Sequence, residues 1–154
     1  MTRYASIEEL PEAHRGEAMR QMDDKPALVE KIPAHHASEH DEQVAVFQWA
    51  KTNEGRWPEL RWMFAIPNGG ARATLTAIKL KAEGVKSGVP DIFLPAPRNG
   101  CPGLWIELKV GKNKATENQT AWMAGLIECG YAVALCYGAE EAIRTITSYL
   151  RGEL

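Results

Sequence analysis

No apolar run in this chain approaches the ~18–20 residues that a membrane-spanning helix needs. The N-terminus also lacks the apolar core of a signal peptide. Neither secretion nor membrane insertion is expected. Cysteine is scarce: Cys101, Cys129 and Cys136 are an odd number with no CxxC spacing. That excludes a disulfide framework and a structural zinc site, and fits a reducing, cytoplasmic location. Internal repeats and low-complexity tracts are absent. Strong net charge is absent too, at a formal −2. The charge is unevenly spread, however. Residues 1–42 carry 5 Lys+Arg against 10 Asp+Glu, and residues 43–154 carry 13 against 10. The asymmetry hints at a basic working surface on the larger part. Scattered solvated charge explains it equally well.

What is present is an ordinary globular composition, 45% hydrophobic and 25% charged over 154 residues. That length suits one domain, which buries roughly two-thirds of its unfolded surface and needs no staple. Residues 1–36 read as a partly flexible N-terminal appendage. Short helical pieces around Ser6–Met22 open on a Ser6-x-x-Glu9 capping box, and Pro26 and Pro33 break any longer element. Residues 37–154 form the domain proper.

Ser38–Thr52 reads as a helix with Ser38 as N-cap, ended by Gly55 and Pro58. Leu60–Ile66 reads as a strand closed by the turn Pro67-Asn68-Gly69-Gly70. Ala73–Glu83 is a helix with Leu75 and Ile78 on it and Gly84 as its cap. Asp91–Leu94 and Leu104–Val110 are strands around a Pro/Gly loop, and their closeness suggests an antiparallel pair. Thr116–Cys129 is a helix with the capping box Thr116-x-x-Gln119; Trp122, Leu126 and Cys129 line one face and Gly130 stops it. Tyr131–Tyr137 is an apolar strand expected to be buried on both faces. Ala139–Leu150 closes the chain with Ile143, Ile146 and Leu150 inward. The run 104–137 suggests one parallel crossover. The expected fold is α/β, a mixed central β-sheet flanked by helices.

The chemistry concentrates in Gly88-Val89-Pro90-Asp91 and Ile106-Glu107-Leu108-Lys109. Side chains alternate along a strand, so Glu107 and Lys109 share a face with Trp105, roughly 6–7 Å apart at their Cα atoms. Charges in so apolar a run are costly unless paired or metal-bound. If the two strands pair, Asp91 comes beside Glu107. A divalent cation relieves the repulsion of two adjacent carboxylates. Mg²⁺ takes oxygen ligands and keeps waters, and a metal-bound water of lowered pKa attacks a phosphodiester. Lys109 is placed to orient that water or stabilise phosphate charge. A bare Glu-x-Lys is common by chance on exposed strands; the preceding Pro90-Asp91 is what makes this one informative.

These residues resemble a family. Pro90-Asp91 followed by Glu107-x-Lys109 looks like the PD-(D/E)xK nuclease signature with its restriction-endonuclease-like core. More narrowly, the chain resembles the VRR-NUC (virus-type replication-repair nuclease) group, in its standalone phage-type form. Glu42, Pro67-Asn68-Gly69-Gly70, Gly88–Asp91, Ile106–Lys109, Asn118-Gln119 before Trp122, and Gly130-Tyr131 all match in order. The resemblance covers about Ser38 to Leu150. It implies a metal-dependent DNA endonuclease of repair type, with Mg²⁺ or Mn²⁺ as cofactor. It implies Asp91, Glu107 and the Leu108 carbonyl as metal ligands and Lys109 as the catalytic lysine. It also implies Glu42 as an additional acid and Gln119 as a positioning group. Standalone members resemble Holliday-junction resolvases, which implies branched DNA and a C2 homodimer.

Other readings stand beside these. Gln119 also serves as the capping partner of Thr116, and Glu42 also suits the helix macrodipole. Its place four and seven residues before Val46 and Trp49 puts it on their apolar stripe. Asn68, Gly69 and Gly70 make either a plain turn or a phosphate cradle. Arg72, Lys79, Lys81 and Lys86 either track DNA phosphates or form a solvated face. His35, His36 and His40 lack a ligand framework and read as a solvated stretch rather than a metal site. The tryptophans Trp49, Trp57, Trp62, Trp105 and Trp122 read as core or interface, with Trp105 the one near the acids. The functional rivals are a nuclease on flap or duplex ends, a silent DNA-binding module on the same fold, and a partner-docking role for the acidic appendage. A silent module would have lost Asp91, Glu107 or Lys109, and all three are present.

Overall fold

The computed structural model describes residues 38–67 and 79–154. All of them belong to one unit, Ala34–Leu154. The Ser6–Met22 helical pieces, His35, His36, Asn68, Gly69, Gly70, Arg72, Leu75 and Ile78 lie outside the described residues. The elements are α1 (Glu39–Asn53), a 3-10 helix (Pro58–Trp62), β1 (Phe64–Ala65), β2 (Ile92–Leu94), β3 (Leu104–Lys109), α2 (Glu117–Glu128), β4 (Ala132–Tyr137) and α3 (Gly138–Leu150).

The sheet order is β1-β2-β3-β4. β1 and β3 run antiparallel to β2, with Phe64 opposite Phe93 and Ile92 opposite Ile106. β4 joins β3 in parallel after the α2 crossover, with Leu104 opposite Ala132 and Lys109 opposite Tyr137. This is the expected α/β architecture with a mixed sheet.

The core follows from alternation. Leu104, Ile106 and Leu108 point to one face of β3 and join Ile92 and Leu94 of β2. Val46 and Ala50 of α1 and Ala142, Ile143 and Ile146 of α3 close over them. α1 and α3 pack on each other and on β3, while α2 packs along β4. Capping starts two of the helices. Ser38 Oγ accepts the Asp41 N–H at 3.2 Å and Asp41 accepts the Ser38 N–H at 2.9 Å. Thr116 and Gln119 exchange the same pair of bonds at 3.3 and 2.8 Å. The loop after β2 is tied to α3: the Tyr149 hydroxyl donates to the Ala96 carbonyl at 2.7 Å, and Arg98 Nε donates to the Leu150 carbonyl at 3.0 Å.

Several expectations are corrected. Leu60–Ile66 is not one strand, because Pro58 lacks an N–H and sits at the start of a 3-10 turn. Leu60 and Met63, three apart, are its buried anchors, and only Phe64–Ala65 pair with β2. β4 is an edge strand among the described residues, and of its residues only Cys136 is fully buried. On α2 only Leu126 is buried; Trp122 is half-buried and Cys129, already the C-cap, is exposed. Of the Ala73–Glu83 helix, residues 79–82 are described and helical, and Gly84 follows with φ +94° as a glycine cap.

Gly88 matters for the site. Its φ is +88°, and a Cβ there would come within 2.8 Å of the Asn118 backbone. Only glycine lets the Val89-Pro90-Asp91 segment pass so close to the start of α2.

Candidate active site

β2 and β3 bring the two acids together. Continuing the β2–β3 register one residue before Ile92 sets Asp91 beside Glu107. Asp91 Oδ2 accepts the Leu108 N–H at 2.9 Å. Its own carbonyl accepts the Ile66 N–H at 2.7 Å, which ties the β1 end to this point.

Glu107 is fully buried. Its Oε1 accepts from Lys109 Nζ at 2.7 Å and from the Gln119 side-chain amide. Its Oε2 is buried with no hydrogen-bond partner among the described residues. Lys109 is 5% exposed. Besides Glu107, its ammonium lies 3.3 Å from the Leu108 carbonyl and 3.6 Å from Glu39 Oε1. Glu39 approaches from the first turn of α1, with its side chain 44% exposed.

Gln119 therefore does both things the sequence allowed. Its Oε1 caps Thr116 and its Nε2 donates to Glu107. The helix cap fixes the amide that holds the acid.

Glu42 lies elsewhere. Its carboxylate accepts the Ala139 N–H, at the N-terminus of α3, where negative charge is favoured. Its inward position on α1 is accounted for by that bond. The acid of α1 that reaches Lys109 is Glu39, which the sequence reading passed over. Glu39 and Glu42 are one turn apart on the same side, and periodicity cannot tell which of two such acids meets β3 and which meets α3. Lys79, Lys81 and Lys86 are exposed. Lys86 stands 5.9 Å from the Trp122 ring centre, a cation–π contact, and the Trp122 indole donates to the Ser87 carbonyl at 3.1 Å. Of the three histidines His40 is described, and His35 and His36 lie outside the described residues.

The electrostatics are those of a site short of positive charge. Burial pushes the Glu107 carboxyl up from 4.5 to about 7; the Lys109 hydrogen bond opposes this and the Asp91 charge adds to it. Burial also raises Asp91, against the Leu108 N–H and Lys109, with Glu39 adding to the rise. Burial alone would lower Lys109, but Glu107, Glu39 and Asp91 together hold its ammonium above the usual lysine value.

These oxygens suit a hard divalent cation. Glu107 Oε2 is buried with no donor on it among the described residues, the Asp91 carboxyl stands within side-chain hydrogen-bonding reach of Glu107, and the Leu108 carbonyl opens to the same ammonium. Among the described residues, no three His, Cys, Asp or Glu side chains form a ready-made cage. Two carboxylates and a carbonyl are a sparse donor set, which fits Mg²⁺ because it keeps several of its waters.

The VRR-NUC domain model matches residues 23–140. The chain belongs to the VRR-NUC family. A solved structure described as a VRR_NUC domain protein is similar at 29% identity and a TM-score of 0.65, over 76% of this chain and 91% of that one. No curated protein matches the chain. The VRR-NUC match reaches back to residue 23, before the α1 cap, and takes in β1 through β4. The mixed four-stranded sheet is consistent with the restriction-endonuclease-like fold, and membership of VRR-NUC implies a nuclease-type function. Among the described residues no helix is long and apolar enough to cross a membrane.

Proposed function

We propose that this chain is a cytoplasmic, Mg²⁺- or Mn²⁺-dependent DNA endonuclease, selective for branched DNA and working as a C2 homodimer. The single observation that carries the reading is the buried, unpartnered Glu107 Oε2 beside Asp91, with Lys109 on the same strand face. Its three cysteines are free, in keeping with a reducing compartment.

Asp91, Glu107 and the Leu108 carbonyl hold the cation. When bound, it supplies charge neutralisation and a water acidic enough to attack phosphorus. The protein's residues do the rest. Glu107 is locked by Gln119 and Lys109, so its second oxygen stays aimed. Asp91 is fixed by the Leu108 N–H. Lys109 stays protonated at neutral pH and presents its ammonium to the nucleophile or to a phosphate oxygen. Glu39 steers Lys109 from the solvent side. Lys86 and Arg72, with Asn68, Gly69 and Gly70, supply backbone and cationic contacts to DNA phosphates. Junction selectivity and the dimer rest on analogy with resolvases and on symmetry: paired cuts in two strands need two sites related by a two-fold axis.

The test is cleavage of a labelled four-way junction beside a linear duplex of matched sequence, with Mg²⁺, Mn²⁺ or EDTA. The expected result is paired nicks in the junction, with either metal and not in EDTA. Equal cutting of flap or duplex ends would replace the junction preference. No cleavage of any substrate would leave a DNA-binding module on this fold.

A further inference from the structure

The face that carries Asp91, Glu107 and Lys109 also carries an unbroken run of aromatic rings. Phe64 meets Phe93 edge-on at 5.7 Å between ring centres. Phe93 stacks on Trp105 at 4.3 Å and 24°. Tyr131 closes the run edge-on against both. Three of the four rings are half-buried. Phe64 is 48% exposed, on a strand at the edge of the sheet among the described residues, and Trp62 two residues earlier is 66% exposed. Arg61, the residue before Trp62, is also exposed.

Position and rigidity give the exposed end a meaning. Phe64 pairs with Phe93, which stands two residues after Asp91 on one strand. Phe64 is therefore one pleat along and one strand across from Asp91, about 8 Å between Cα atoms, and about 12 Å from Glu107 one strand further. The rings behind it hold it in place, so little side-chain freedom is lost when something stacks on it. Gly103 helps: a Cβ there would fall 2.7 Å from the Phe93 ring, so only glycine lets that ring lie flat against the strand. A fixed, open π-face on the face of a phosphodiester site, with an exposed arginine three residues before it in the chain, is the equipment of unpaired-base binding.

We infer that Phe64, with Trp62 beside it, is a stacking platform for an unpaired nucleobase close to the scissile phosphate. This rests on the proposed nuclease reading for its place in the reaction. It accounts for selectivity toward DNA that departs from the duplex, because a paired base offers no free face.

The experiment measures binding of the full chain to a splayed fork and to a fully paired duplex of equal length. Fluorescence anisotropy is read with Ca²⁺ in place of Mg²⁺. Phe64→Ala and Phe64→Leu should each weaken fork binding about tenfold and leave duplex binding within twofold, and Phe64→Trp should restore it. The leucine variant keeps apolar bulk against Phe93, so a loss there is a loss of the flat ring. Thermal unfolding of each variant reports the fold independently. Equal affinities for fork and duplex across all variants would overturn the platform. So would a change of oligomeric state with fork binding intact, which would make this face a subunit contact. Wild-type cleavage of the same fork with Mg²⁺ separates the two readings. Cleavage without a Phe64 effect removes the platform alone. A Phe64 effect without cleavage removes the nuclease and keeps the platform.

Discussion

Lys109→Met is expected to lower the cleavage rate about 10²–10³-fold, the usual cost of removing one preorganised charged donor. Methionine fills nearly the same buried space, so what is lost is the ammonium and not the packing. On the proposed metal site Glu107→Gln should cost more, about 10³-fold or beyond, because it would take away a ligand of the cation and with it several kcal/mol of charge stabilisation. The amide is the informative replacement. It keeps the volume at a fully buried position and still offers an oxygen to Lys109 and Gln119. Both variants are read by single-turnover cleavage beside DNA affinity. Binding to DNA is expected to survive in Glu107→Gln or to tighten, because one charge that repels phosphate is gone. Loss of cleavage together with loss of binding would point to a damaged fold. Undiminished cleavage in Glu107→Gln would remove the site from this strand.

The second large effect is on stability. In the metal-free protein Glu107 titrates near 7 where an unfolded chain titrates near 4.5. Between those values the folded state holds a proton that the unfolded state has released. Stability from this group is complete below about 4.5 and is lost as pH rises through about 7. Asp91, raised in the same direction, adds to the loss. Lys109 is raised from 10.5, so its contribution is intact throughout this window. The unfolding midpoint of metal-free protein should fall by several degrees between pH 5 and pH 8. Mg²⁺ should restore it at pH 8 and do little at pH 5. Glu107→Gln, which cannot ionise, should flatten the profile. A wild-type midpoint that rises over this range would contradict the burial of Glu107.

The parts of the fold that the sequence made legible are those set by local, redundant signals. Ser38 and Thr116 each announce a helix with a capping pair, and both boxes are formed. The β2–β3 pairing follows from two short apolar strands around a Pro/Gly loop. The β3-α2-β4 crossover follows from lengths alone. What was not legible depends on tertiary neighbours. Leu60–Ile66 has strand-like composition, but its anchors Leu60 and Met63 are spaced for a turn. Tyr131–Tyr137 is as apolar as a central strand and lies at an edge of the sheet formed by the described residues. Glu39 and Glu42 have the same chemistry on the same helical side. Only the arrival of Ala139 beside one and Lys109 beside the other separates them. The spacing allows Gln119 two roles, and one amide has two ends to fill both.

The central claim is that Asp91 and Glu107 bind a divalent cation. Calorimetric titration of Mg²⁺ into the metal-free protein at pH 7, in buffers of different ionisation heat, tests it most directly. The account predicts saturable binding with release of protons, because Glu107 is part-protonated at that pH and must ionise to become a ligand. Glu107→Gln should bind far more weakly and release none. Equal binding by the two proteins, or no saturable binding by the wild type, would contradict it.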